Sequence, residues 1–83
     1  MNVTVRYFAA ARAAAGVEAE GVDVPPGATV DILLKTVRGT HDDDLARVLD
    51  RCSFLLDEVA VRDRELSLHD GALLDVLPPF AGG

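Results

Sequence analysis

Residues 2–24 read NVTVRYFAAARAAAGVEAEGVDV, and they decide what kind of fold this is. Val3, Val5 and Tyr7 alternate with Asn2, Thr4 and Arg6, the period of two that puts apolar side chains on one face of a half-buried strand. Phe8 breaks the alternation, because the same count places it on the polar face. The run AAARAAAG (9–16) predicts a short turn of helix, favoured by alanine and stopped by Gly16, the residue best suited to a left-handed C-cap. EGVDV (20–24) predicts a second short strand. Two strands bridged by only a helical turn therefore come before any long helix.

Working outward, PPGAT (25–29) is a sharp turn in which proline fixes φ and glycine supplies a positive φ. Thr29 is a good N-cap and Asp31 lies in the first turn, where the helix dipole favours a negative charge. Val30, Leu33, Leu34 and Val37 recur at i, i+3, i+4 and i+7, one apolar stripe of a main helix that Gly39 is expected to end. A second helix begins at Asp42, Asp43 and Asp44; Leu45, Val48, Leu49 and Cys52 repeat the spacing, with Arg47 and Arg51 toward its C-terminal end. SFLL (53–56) and VAVRD (59–63) predict two strands flanking Asp57-Glu58, LHDG (68–71) a turn, and ALLDVL (72–77) a final strand. No internal repeat or low-complexity segment interrupts them.

The order is strand, strand, helices, strands, which is not the alternation of a parallel doubly wound sheet. It suits an α+β domain, a mixed sheet packed on one main helix plus a second short helix. That is the β-grasp, or ubiquitin-like, arrangement. Residues 1–77 are expected to form this domain and 78–83 a projecting C-terminal tail.

Composition narrows the function. A chain of 83 residues makes one domain. Its 49% hydrophobic and 27% charged residues suit an ordinary globular protein, and its core must be mostly aliphatic because Trp is absent. The net charge of −6 argues against nucleic acid or an anionic membrane surface as partner. No leader and no run approaching the ~20 apolar residues of a membrane span is visible, so a cytoplasmic location is expected. Cys52 stands alone, which rules out an internal disulfide.

Few residues suggest chemistry of their own. Cys52 lies on an apolar stripe, where a free cysteine acts as a small buried hydrophobe. His41 and His69 fall in predicted loops with no metal-ligand spacing, and are expected to be solvated. Asp42-Asp43-Asp44 lacks the alternation, glycine and distal glutamate of a calcium loop and is better explained as a helix start. No phosphate loop, nucleophile elbow or framed pair of carboxylates appears. The off-pattern apolar residues say more: Phe8 falls on the outer face of the first strand, and Leu73 and Leu77 on that of the last. Either something covers these residues or they form a protein–protein site.

The last seven residues read LPPFAGG (77–83). Pro78-Pro79 donates no backbone hydrogen bond and favours extended geometry, so the sheet should stop at Leu77. Phe80 offers an anchor, and Gly82 and Gly83, having no Cβ, suit a channel too narrow for other residues. The group at the far end is the α-carboxylate of Gly83. Adenylation by a partner would turn it into a mixed anhydride, and displacement of AMP by sulfide would leave a thiocarboxylate.

With these residues in view, the chain resembles the MoaD-type branch of the ubiquitin-like sulfur-carrier family (MoaD/ThiS), the small subunits of molybdopterin synthase. YFAAARAAAG (7–16), the Asp70-Gly71 turn and LPPFAGG (77–83) carry the resemblance, the ending most specifically. It implies a non-catalytic carrier whose Gly83 is adenylated by an E1-like enzyme using ATP and Mg²⁺ and then thiocarboxylated. The tail (Pro78, Pro79, Phe80, Ala81, Gly82, Gly83) would insert into the large synthase subunit, which holds the active site within a heterotetramer. Sulfur would pass there to cyclic pyranopterin monophosphate. It further implies a sulfur donor protein, no cofactor held by this chain, and large-subunit contacts at Phe8, Val61, Leu77 and Arg12. Three departures stand out: the strand after the turn glycine lacks a common acidic pair, Asp57-Glu58 replaces an Asn-Gly-type turn, and Phe80 stands where a smaller residue is frequent. Two alternatives stay open: the same carrier chemistry in thiazole or cysteine synthesis or in protein conjugation, and a binding module whose tail does no chemistry.

Overall fold

Strand β1 (Asn2–Tyr7) buries Val3, Val5 and Tyr7 completely, as the alternation of its residues requires. It is an interior strand of a sheet seen in a computed structural model, which describes residues 1–79. Phe8 follows in extended conformation as the N-cap of helix α1 (Ala9–Ala15), and Gly16 closes that helix at φ 78°. Strand β2 (Ala19–Asp23) then returns antiparallel to β1.

Helix α2 (Val30–Thr40) is started by Thr29, whose hydroxyl accepts the N–H of Ile32 at 3.3 Å. Its stripe of Val30, Leu33, Leu34 and Val37 is fully buried, at about 1.5–3 kcal/mol for each large side chain removed from water. Gly39 does not end it. The helix runs on to Thr40, whose hydroxyl donates to the Val37 carbonyl at 3.2 Å, and His41 is the extended C-cap. An isolated glycine costs a helix only about 1 kcal/mol, too little to stop one whose face is already buried.

Helix α3 (Asp43–Leu49) places Asp43 and Asp44 in its first turn and buries Leu45 and Leu49. Strand β3 (Ser53–Leu56) turns back through Asp57 and Glu58 into strand β4 (Val59–Ala60). Both turn residues have positive φ, 48° and 70°, as a two-residue hairpin loop of primed type demands. Beyond Val61, whose N–H still donates to the Phe54 carbonyl at 2.9 Å, pairing ends, so the strand expected over 59–63 is shorter than its sequence suggested. Strand β5 (Leu73–Leu77) completes the sheet and stops at the residue before Pro78-Pro79.

The five strands lie in the order β2-β1-β5-β3-β4, with β1 and β5 parallel and the other pairs antiparallel. This mixed sheet with its helices is a β-grasp fold. One core joins Tyr7, Phe54, Leu74 and Val76 of the sheet to Leu33, Leu34 and Val37 of α2 and Leu45 and Leu49 of α3. Among the described residues no helix is long and apolar enough to cross a membrane.

Candidate functional site

The parallel pairing of the first and last strands sets the site. Tyr7 lies opposite Val76, and the Phe8 N–H donates to the Val76 carbonyl at 3.2 Å. The point where β1 leaves the sheet therefore sits beside the point where β5 leaves it for the tail. Ala9, the next residue, has φ 50°, a left-handed conformation uncommon outside glycine. This bend turns the chain from strand into α1, and nothing in the alternation of residues 2–8 announces it.

Side chains that alternate with the core residues make the other face of the sheet. Register aligns Leu55 of β3, Asp75 of β5 and Arg6 of β1 in one row. Leu73 and Leu77 flank Asp75 on β5, and Leu77 lies opposite Ser53. Leu55, Leu73, Leu77 and Phe8 are each half-buried. At their centre Arg6 donates from Nε to Asp75 Oδ1 at 2.7 Å and from Nη2 to Asp75 Oδ2 at 2.9 Å. Asp75 is only 5% exposed, the one buried charged residue among those described. Its hydrogen bonds hold the Arg6 guanidinium even further above its ordinary pKa, against the opposing effect of burial. The Arg6 guanidinium carbon stands 5.6 Å from the centre of the Phe8 ring, a cation–π contact.

Of the residues expected to meet a partner, Phe8 and Leu77 come together on this face. Arg12 is close by on α1, exposed, its Nε 3.4 Å from the Tyr7 carbonyl and its Nη2 3.8 Å from Glu18. Val61 is not brought to them. Its N–H bonds the carbonyl of Phe54, a residue buried in the core, and Val61 itself packs half-buried against that core. Pro78 and Pro79 line a shallow groove with Ala10 of α1 and Val48 and Arg51 of the α3 region. Phe80, Ala81, Gly82 and Gly83 lie outside the described residues.

The remaining candidates settle into structural roles. Cys52 is buried, its thiol pKa pushed up by burial and its Sγ donating to the Val48 carbonyl at 3.2 Å. His69 is exposed as expected, with Nε2 2.7 Å from Asp57. His41 is not solvated. Its side chain is 15% exposed, it meets Glu20 through Nε2, and its ring stands edge-on to Tyr7 at 6.0 Å. Tyr7 donates its hydroxyl to the same Glu20 carboxylate at 2.6 Å, so one acid joins β1, β2 and the end of α2. Asp42 caps α3 without a side-chain hydrogen bond. The Arg6–Asp75 pair is not among the features that periodicity reveals. The signal was present in Asp75 sharing the outer face of its strand with Leu73 and Leu77, but only the register supplies Arg6 as its partner.

Comparison with known proteins agrees with this architecture. The ThiS family profile matches residues 5–83. The molybdopterin synthase sulfur carrier subunit of Chlamydomonas reinhardtii is 35% identical over 85 residues, covering 100% of both chains. Among solved structures, SAMP1 from Haloferax volcanii superposes with a TM-score of 0.89 at 27% identity over 100% of both chains. A putative molybdopterin converting factor subunit 1 from Pyrococcus furiosus gives 0.86 at 28% identity, covering 95% of this chain and 98% of its own.

Proposed function

The chain belongs to the ThiS family, and from that premise we propose that it is the sulfur-carrier small subunit of a molybdopterin synthase. The carboxylate of Gly83 attacks the α-phosphate of ATP on an E1-like enzyme with Mg²⁺, releasing pyrophosphate. Sulfide equivalents from a donor protein then displace AMP and leave a thiocarboxylate. The tail enters the large subunit, where the sulfur bonds to cyclic pyranopterin monophosphate and water then cleaves the Gly83 acyl–sulfur bond, leaving the sulfur on the pterin and returning Gly83 to a carboxylate. Phe8 and Leu77 dock on that subunit, with Arg12 adding a polar contact at the rim.

The observation that carries this reading is the adjacency of Phe8 and Leu77 to Pro78-Pro79, fixed by the parallel β1–β5 pair. A docking face contiguous with the tail base lets one binding event both seize the domain and aim the tail, cutting the entropy cost of transfer. To test it, the chain is incubated with ATP, a competent cognate activating enzyme and a sulfur donor, and its intact mass recorded. Exchange of one oxygen for sulfur at Gly83 is expected, and an unchanged mass overturns the reading.

The likeness to SAMP1, a small archaeal modifier protein, favours a second reading in which the activated Gly83 is joined to proteins. Covalent adducts of higher mass in the same incubation, formed with added cell extract, would identify that role.

A further inference from the structure

An ion pair at the centre of an apolar sheet face calls for a reason. Asp75 is buried there beside half-buried Leu55, Leu73 and Leu77, and a carboxylate is costly to take out of water. Replacing such a pair with apolar side chains of similar volume is often neutral or stabilising, so folding stability alone does not account for it. What the pair does accomplish is to fix an arginine. Asp75 accepts from Nε and Nη2 at 2.7 and 2.9 Å, and the Phe8 ring covers the guanidinium at 5.6 Å. Two of the five guanidinium N–H groups are used, and the planar fork turns the other three away from Asp75. No described residue accepts them, and the Arg6 side chain is 42% exposed. Glu58 acts on Arg6 through its charge, without forming an ion pair with it.

We propose that Arg6, held by Asp75 and Phe8, is a specificity-determining residue of the docking face, presenting its free guanidinium edge to a hydrogen-bond acceptor, a carbonyl or carboxylate, set in an apolar surface of the large synthase subunit. This rests on the carrier reading above. The matching surface has two requirements: apolar groups to cover Phe8, Leu55, Leu73 and Leu77, and one acceptor opposite Arg6. A surface that meets only the first buries a guanidinium with unpaired donors and is rejected. The pair thus filters partners on a face whose leucines alone would stick to any apolar patch.

Binding to the cognate large subunit is measured by calorimetry for the unsubstituted chain, for Arg6→Leu/Asp75→Leu, and for Arg6→Lys. Arg6→Lys keeps the charge beside Asp75 but not the outward guanidinium edge, and it answers the question if the double variant fails to fold. About ten-fold weaker binding or more is expected of each folded variant, the loss of a hydrogen bond from a charged donor. The melting temperature of the double variant should equal or exceed that of the unsubstituted chain. Weakened affinity at higher salt, absent from the double variant, identifies the acceptor as a carboxylate; salt-independent loss identifies a carbonyl. Binding within two-fold of the unsubstituted chain by the folded variants overturns the proposal, while Leu77→Asp, run alongside, still tests the docking face itself. Failure of the unsubstituted chain to bind overturns both.

Discussion

Phe8 donates its backbone N–H to the carbonyl of Val76 at 3.2 Å, tying the exit of the first strand to the exit of the last. Phe8 is thereby fixed beside Leu77 and the prolines that follow it, although the two lie at opposite ends of the chain. Substituting Phe8→Asp should remove the cation–π contact with Arg6 and put a charge on the docking face. Binding to the large subunit should weaken by about 2 kcal/mol, the scale of an interface hot spot. Because the side chain is outside the core, thermal unfolding should change little. Loss of binding together with a large drop in melting temperature would mean that Phe8 is structural.

Tyr7 is the only tyrosine, so its titration can be read without interference. Burial, and next the hydrogen bond to Glu20, push its phenol above the ordinary value of 10. A raised folded value means that the stability it confers is complete below pH 10 and is lost as pH rises beyond that. Near-ultraviolet absorbance should therefore show no phenolate until the chain unfolds in alkali. Ionisation of the folded protein near 10 would contradict the buried Tyr7–Glu20 contact. Tyr7→Phe should cost about 1 kcal/mol, as Glu20 keeps His41 as a partner.

The Asp57–His69 contact pins the hairpin turn to the start of β5. The Leu73 N–H, and next His69, lower the Asp57 carboxyl below 3.8. Hydrogen bonding to Asp57, and next to the Asp70 carbonyl, raises His69 above 6.5. The histidine contribution is present below 6.5 and fades as pH rises through its folded value; that of Asp57 is present above 3.8 and fades as pH falls through its own. The contact is thus strongest between those limits. In a comparison of melting temperatures with His69→Gln, the native chain's advantage should be larger at about pH 5 than at about pH 8. An advantage that grows toward pH 8 would rule this contact out as its source.

Cys52 should behave as a core atom and not as a nucleophile. With its thiol buried and its pKa raised by burial, a thiol reagent at neutral pH should label it only as fast as the chain opens. Labelling should become rapid in denaturant. Immediate reaction of the folded chain would show the α3–β3 junction to be open.

Much of the fold was legible because its signals are local. The alternation in residues 2–7, the stripe from Val30 to Val37 and the stop at Gly16 each depend on neighbours within a few positions, and each element formed where those signals placed it. The ends of elements were less legible. Gly39 failed to end α2 and Val61 fell outside β4, because burial and strand pairing outweigh the preferences of single residues. The outward set of Phe8 was visible from periodicity, and the placement of Val61 on the core side was not, since it depends on which residue of β3 it pairs with.

By itself the sequence determined the order of strands and helices, the aliphatic core, and the place where the sheet must end before Pro78. Only the tertiary structure decided that Arg6 and Asp75, 69 positions apart, form one ion pair beside Phe8 and Leu77, and that Tyr7 and His41 share Glu20. The reason is physical. A period of two assigns a side chain to a face of its strand, but its neighbours across the sheet follow from strand order and register, which are set by how the whole core packs.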